Sequence, residues 1–192
     1  MSGTLPHLSE HIAMGVFDVF QIPYSAVERE HEAAIANASQ KGAGIVIRGG
    51  AAKGAPTEGK QAGLQWERWR RAHLDDLLDG MTPMEFILRF TFTNPDLDTN
   101  IVGTINPAHL RTNLDILEQG PLPQDLYEEA KRGLALAGSA PQSTGEWAAG
   151  VTGGSRLVSL VCDKVRGPGG RVQPNHTNSR MVTVAGGRSQ GI

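Results

Sequence analysis

The segment IVGTINPAHLRTN, at positions 101–113, joins a short apolar strand directly to a helix. Asn106 is a good N-cap residue, and Pro107 stands at the first helical position, where its missing N–H group costs nothing. A helix that begins in this way aims unpaired backbone N–H groups at one point, which attracts anions. His109, in the same first turn, would offer a phosphate a second polar group. A capped surface helix without a ligand has the same signature, so the segment alone leaves both interpretations open.

Two other features could carry chemistry. His7 and His11 stand four residues apart, but the pattern lacks the glutamate and the third ligand of a zinc protease, so we predict no metal site. The glycine-rich stretch RGGAAKGAP, which carries Arg48 and Lys53, lacks the GKS or GKT ending of a nucleoside-triphosphate loop. Its position after an apolar strand instead favours a loop that faces a ligand.

Length and charge limit the class of protein. A chain of 192 residues is long enough for one domain with a sizeable core. The net charge of −2 argues against a nucleic-acid or membrane-surface partner, because binding to phosphate by charge alone requires a basic face. The charge therefore predicts a small-molecule partner. No apolar run reaches the ~18 residues of a membrane span. The single cysteine, Cys162, excludes an internal disulfide, which predicts a cytoplasmic protein.

The composition changes near residue 137. Residues 1–137 contain 12 basic and 18 acidic residues, whereas residues 138–192 contain 6 basic and 2 acidic residues and 11 of the 24 glycines. The second segment has one short apolar run and no helical period, so it buries too little apolar surface to order itself. We therefore predict an ordered domain over 1–137 and a largely disordered tail over 138–192.

Strand and helix signals alternate through the first segment. Compact apolar runs predict strands at 17–22, 44–47 and 98–102. Amphipathic periods and capping residues predict helices at 25–40, 66–78, 83–92, 107–117 and 124–136. This alternation is typical of a parallel α/β sheet or barrel. Ligands of such folds bind at the carboxyl ends of the strands, where Gln21, Arg48 and Gly103 all fall, so we predict one shared site there.

Several segments resemble, in order and spacing, the C-terminal half of an aldo/keto reductase: MSGTLPHL, FDVFQIPYS, GAGIVIRGGAAKGA, TPMEFILRF and NIVGTINPAHLRTNL. The similarity covers roughly residues 1–135, and the last segment is the most specific. Members of that family are (β/α)8 barrels that bind NADPH across the carboxyl mouth and reduce carbonyls by hydride transfer. The resemblance implies an α/β fold that is a partial (β/α)8 TIM barrel, about its last four βα units, with Met1 inside the fifth barrel strand.

The resemblance assigns residues to the nicotinamide end of the cofactor. Ser2 with Gly3 resembles the Ser-Asn pair that holds the carboxamide, and Gln21 resembles the glutamine that does the same. An aromatic residue more often stacks on the nicotinamide ring at the end of the seventh strand, and an arginine plane stacks on a ring as well. That strand end corresponds here to Arg48, Gly49, Gly50 and Ala51.

The resemblance also assigns the adenosine end. Gly103 and Thr104 stand where the family has a Lys-Ser pair at the 2′-phosphate, and His109 stands where it has an arginine. Thr112 and Asn113 resemble the Glu-Asn pair that contacts adenine. The implied cofactor is NADP(H), and NAD(H) stays open because that lysine and that arginine are both absent.

The family's catalytic Tyr, Asp, Lys and His come from the first four barrel strands, which this sequence does not contain. Tyr24 and Tyr127 have no such Lys and Asp beside them to lower a tyrosine pKa. We therefore expect both tyrosines to be packing residues and predict no catalytic residue in this chain.

The sequence predicts an NAD(P)-dependent, aldo/keto-reductase-like oxidoreductase that is truncated and inactive on its own. Exposed strand edges predict self-association or pairing with a complementary N-terminal half-barrel. Two alternatives stay open: a non-catalytic nucleotide-binding or interaction protein, and an inert truncated gene product.

Overall fold

The computed structural model describes residues 1–57, 59 and 61–142, and the predictions for 143–192, Cys162 among them, lie outside the described residues. Within that part the chain alternates between helices and strands. The helices are α1 (His7–Met14), α2 (Glu32–Gln40), α3 (Gly63–Arg71), α4 (Pro83–Thr93), α5 (Pro107–Glu118) and α6 (Gln124–Leu136). The strands are β1 (Val19–Pro23), β2 (Gly44–Arg48) and β3 (Thr99–Ile101).

The three strands form one parallel sheet in the order β1-β2-β3. Gln21 pairs with Val46, and Val46 pairs with Thr99, so these three residues share one face of the sheet. The N-terminal segment lies along the other edge of β1, where Ser2 bridges to Gln21 and the Gln21 N–H donates to Met1 O at 2.7 Å. The strand that the resemblance implies at Met1 is therefore present as a single bridge.

The two faces of the sheet differ in burial. Side chains on one face are buried: Phe20, Ile22, Ile45 and Ile47. Their neighbours on the opposite face are half-buried or exposed, and Val19 is 47% exposed. In a barrel wall, side chains that point outward pack under helices and alternate with side chains that point into the interior. The described residues therefore form a parallel α/β layer of the predicted class.

The helix predicted at 25–40 begins later, at Glu32, and a compact turn precedes it. Ser25 and Glu28 exchange two backbone hydrogen bonds within the turn, at 3.2 and 3.1 Å. The Arg29 guanidinium is buried in the turn and donates to Lys131 O at 2.9 Å and to Ser139 O at 3.2 Å. The prediction was wrong here because these contacts come from the opposite end of the described chain, which a local period cannot reveal.

The helix predicted at 66–78 is divided. α3 ends at Arg71, His73 has a left-handed backbone with φ 53°, and a 3-10 turn follows at Leu74–Leu77. Buried Trp69 stabilises the break, because its indole N–H donates to Asp75 Oδ1 at 3.1 Å. A tertiary contact between side chains thus overrides the helical period.

Both predicted N-caps are present. Thr82 Oγ1 accepts the Glu85 N–H at 3.2 Å, and Asn106 Oδ1 accepts the Ala108 N–H at 2.9 Å. A proline follows each cap at the start of its helix. α1 was not predicted; it is only eight residues long, and no side chain caps its start.

We expect Arg29→Met to lower the free energy of unfolding by about 3 kcal/mol, because two carbonyls lose their charged donor and Glu32 loses one of its two cationic partners. Urea unfolding followed by circular dichroism measures the change. Arg132→Met, on the exposed side of α6, is the matched control and should cost less than about 0.5 kcal/mol. Equal losses in the two variants would contradict a structural role for Arg29.

Candidate functional site

The parallel sheet places the loops that follow its strands at one edge. A cavity of about 410 Å³ lies there, lined by the loop after β2, by Met84 of α4, and by the segment that leads from β3 into α5. The lining residues of that last segment are Val102, Gly103, Thr104, His109, Thr112 and Asn113. The structure therefore brings together, on one cavity, all five residues that the resemblance assigns to the adenosine end of a cofactor.

The start of α5 has fewer free donors than the sequence predicts. Asn106 Oδ1 already accepts the Ala108 N–H at 2.9 Å, and Thr104 Oγ1 accepts the Asn106 N–H at 3.1 Å. Pro107 has no N–H group. A negatively charged ligand at this helix start would therefore depend on side chains more than on the backbone.

Asn113 is the most buried polar residue of the cavity. It is 9% exposed, and its amide makes no hydrogen bond to any residue that the structure describes. The amide atoms of Asn113 keep some accessible surface, so water or a bound molecule can pair with them. Because Asn113 lines the cavity, its amide can both donate to and accept from a bound molecule.

Lys53 lines the same cavity, although the sequence analysis assigned it no role. Ala52 and Lys53 have left-handed backbones, with φ values of 48° and 55°. Residues other than glycine are strained in this conformation, and such strain is concentrated at functional sites. The signal in the sequence is a second cation, after Arg48, inside the glycine-rich stretch that follows an apolar strand.

Gly50 shapes the loop that carries Lys53. A Cβ atom on Gly50 would lie 2.5 Å from Asn100 Oδ1, so no larger residue fits without a shift. Asn100 is buried on β3, and neither polar atom of its side chain has a partner among the described residues. Gly49 has φ 76°, which favours glycine. These two glycines therefore have a conformational role, whatever the loop binds.

The residues expected at the nicotinamide end lie in two places. Ser2 and Gln21 are neighbours through the bridge beside β1. Arg48 is exposed at the end of β2 and lines a second cavity of about 540 Å³, together with His31 and Arg68. The structure thus does not place Arg48 in the cavity beside α5.

His31 connects the N-terminal segment to the turn after β1. Its Nε2 accepts the Leu5 N–H at 3.3 Å, and its Nδ1 is buried without a partner among the described residues. Burial lowers the pKa of His31 below its usual value of 6.5; nearby Glu30 opposes this shift, and Arg48 adds to it. The neutral imidazole is therefore the form that the fold favours.

Tyr24 and Tyr127 are not arranged for proton transfer. Both are buried, and their hydroxyl oxygens lie 3.4 Å apart. Burial raises the pKa of Tyr127 to about 12 and raises the pKa of Tyr24 well above its usual value of 10. A catalytic tyrosine needs the opposite shift, so both act as packing residues, as expected.

Within 1–57, 59 and 61–142, no group of three or more His, Cys, Asp or Glu residues could hold a metal ion. None of the helices in the same ranges is long and apolar enough to cross a membrane.

Comparison with known proteins identifies the fold. No protein-family model matches the chain, and no curated protein matches it in sequence. The structure is similar to the aldo-keto reductase AKR11C1 from Bacillus halodurans, in its holo and apo forms, with a TM-score of 0.59 and 18% identity for each. The match covers 69% of this chain and 48% of the holo chain or 49% of the apo chain.

The chain thus spans about half the length of these solved structures. At this level of identity the likeness concerns the fold. The resemblance noted in the sequence is confirmed to that extent: the described residues have the fold of part of an aldo-keto reductase barrel.

We expect the stability to fall as the pH drops below about 6.5, because the unfolded chain takes up a proton at His31 before the folded protein does. The loss of stability grows as the pH falls, until the pH lies below the lowered pKa of His31 in the folded protein. His31→Gln, whose amide oxygen can accept the Leu5 N–H, should remove this part of the pH dependence. Thermal unfolding across this pH range measures it. His7→Gln, on the exposed side of α1, is the control, and an identical profile in all three proteins would exclude the effect.

Proposed function

We propose that the described domain is the cofactor-binding part of an NAD(P)-dependent oxidoreductase that reduces carbonyl compounds. The observation that carries the proposal is the cavity beside α5, which joins Gly103, Thr104, His109, Thr112 and Asn113. The Asn113 amide makes no hydrogen bond to the described residues, so it gives this cavity a polar group with which a ligand can pair.

An adenosine phosphate suits the cavity in size and in chemistry. About 410 Å³ falls within the range of about 300–1,000 Å³ that is typical of small-molecule sites. Val102 and Met84 offer apolar surface to a purine ring, and Asn113 offers a donor and an acceptor to its edge. Thr104 and His109 offer polar groups to a phosphate.

Ser2 and Gln21 would hold the carboxamide of the nicotinamide. The guanidinium plane of Arg48 would lie against the ring. Two observations support these roles. Arg48 shares a sheet face with Gln21, because its partner Pro23 lies two residues further along β1. The Arg48 side chain makes no hydrogen bond or ion pair with the described residues. A bound dinucleotide would supply the hydride that reduces a carbonyl carbon. NADP(H) is the proposed cofactor, with NAD(H) as the alternative.

Carbonyl reduction also needs a proton donor, and buried Tyr24 and Tyr127 do not offer one. We infer that the donor belongs to a further barrel segment that covers the partly open face of the sheet, on the same polypeptide or on a separate one. Exposed Val19 and half-buried Val46 give that segment an apolar surface. Association of two copies through this face is the alternative.

We expect the chain to bind NADP⁺ and Asn113→Leu to bind it about tenfold more weakly, because the substitution removes the amide that would pair with the adenine. Isothermal titration calorimetry measures both affinities. Asn37→Leu, on α2, is the control and should bind as the unmodified chain does. Equal affinities for the three proteins would remove the cavity beside α5 from the proposal.

Adding a polypeptide that supplies the first four strands of an aldo-keto reductase barrel should produce NADPH oxidation with a simple aldehyde, because it would bring the proton donor to the carboxyl mouth. Absorbance at the NADPH band measures the rate. The control is the same mixture with the donor tyrosine of the added segment changed to phenylalanine.

A nucleotide-binding protein without catalysis is the second candidate function, and the raised pKa of Tyr127 and of Tyr24 favours it. Cofactor binding with no activity in a well-folded mixture of the two segments would support this second candidate over the first. Absence of any nucleotide binding would overturn both candidate functions.

A further inference from the structure

The cavity beside α5 lacks positive charge on its α5 side. Gly103, Thr104 and His109 are the lining residues around the helix start, and none of them is a lysine or an arginine. The N–H groups of Asn106 and Ala108 are already bonded to side chains of the same turn. A phosphate dianion bound there would therefore need a cation from another part of the chain.

Lys53 is the cation that lines the same cavity, and it comes from the loop after β2. Its side chain is exposed and makes neither a hydrogen bond nor an ion pair with any residue that the structure describes. Ala52 and Gly54, on either side of it, are buried. The backbone is thus anchored on both sides of Lys53, while its ammonium group has no partner among the described residues.

The backbone at Lys53 is strained without a compensating contact. Its φ of 55° lies in the left-handed region, which glycine or asparagine adopts at lower cost. The Lys53 side chain makes no hydrogen bond or ion pair with the described residues that would offset this strain. A long cationic side chain at such a position can reach a ligand across the cavity.

We propose that Lys53 binds the 2′-phosphate of the cofactor and so makes this site select NADP(H) over NAD(H). The inference rests on the proposed function of the cavity as the adenosine end of a dinucleotide site. Lys53 lies on the opposite loop and supplies the positive charge that the start of α5 lacks. Selection then depends on the contact between one ammonium group and one phosphate.

The test uses the whole chain and two small ligands, 2′,5′-ADP and 5′-AMP, which differ only in the 2′-phosphate. Isothermal titration calorimetry on the unmodified chain should give at least about tenfold tighter binding of 2′,5′-ADP. Lys53→Asn and Lys53→Gly both suit a left-handed backbone, so they should fold as well as the parent in thermal unfolding. Both should bring the two affinities within about twofold of each other by weakening 2′,5′-ADP alone.

Arg132→Gln, on exposed α6, removes the same charge elsewhere and should keep the preference. Salt provides a second readout: raising potassium chloride from about 50 to about 200 mM should weaken 2′,5′-ADP more than 5′-AMP in the parent and equally in Lys53→Asn.

Equal weakening of both ligands in the Lys53 variants would overturn the inference, because Lys53 would then serve the 5′-phosphate. An unchanged preference in those variants, or no preference in the parent, would overturn it as well while leaving the proposed function intact. Binding of neither ligand to the parent would overturn the proposed function together with the inference.

Discussion

The parallel pairing of β1, β2 and β3 is the constraint on which the rest of the structure depends. Because the strands run in one direction, their carboxyl ends and the loops after them meet at one edge. The same pairing divides the side chains between two faces, one packed under helices and one partly open. The cavity beside α5 and the cavity at Arg48 both lie along that edge, where loops from different strands approach each other.

Arg29 and Asn100 show two different fates of a buried polar side chain. Arg29 sits deep between the turn after β1 and the end of α6, and its guanidinium has three oxygen partners. Asn100, by contrast, has a buried amide with no partner among the described residues, Asn113 presents its amide to the cavity beside α5, and Lys53 adds backbone strain. A fold retains such costs where a ligand can offset them, which is why this edge is the region to which we assign binding.

The proposed division between binding and catalysis has a physical reason. An adenosine phosphate can be held by groups from two neighbouring loops and one helix, and those lie within the described residues. Proton donation needs a tyrosine whose pKa is lowered by charged neighbours, whereas burial raises the pKa of Tyr24 and of Tyr127. The partly open face of the sheet is where a further segment would bring such a group to the carboxyl mouth.

The sequence by itself determined the alternation of strands and helices and the caps at Thr82 and Asn106, because these follow from local periods and short-range hydrogen bonds. The set of residues around α5 came from the resemblance to a known family. Only the tertiary structure decided that α2 begins at Glu32, since the contacts of Arg29 come from the far end of the described chain. It likewise decided that Lys53, from a different loop, shares a cavity with His109. Strand pairing brings distant segments together, and no local pattern records which side chains then meet.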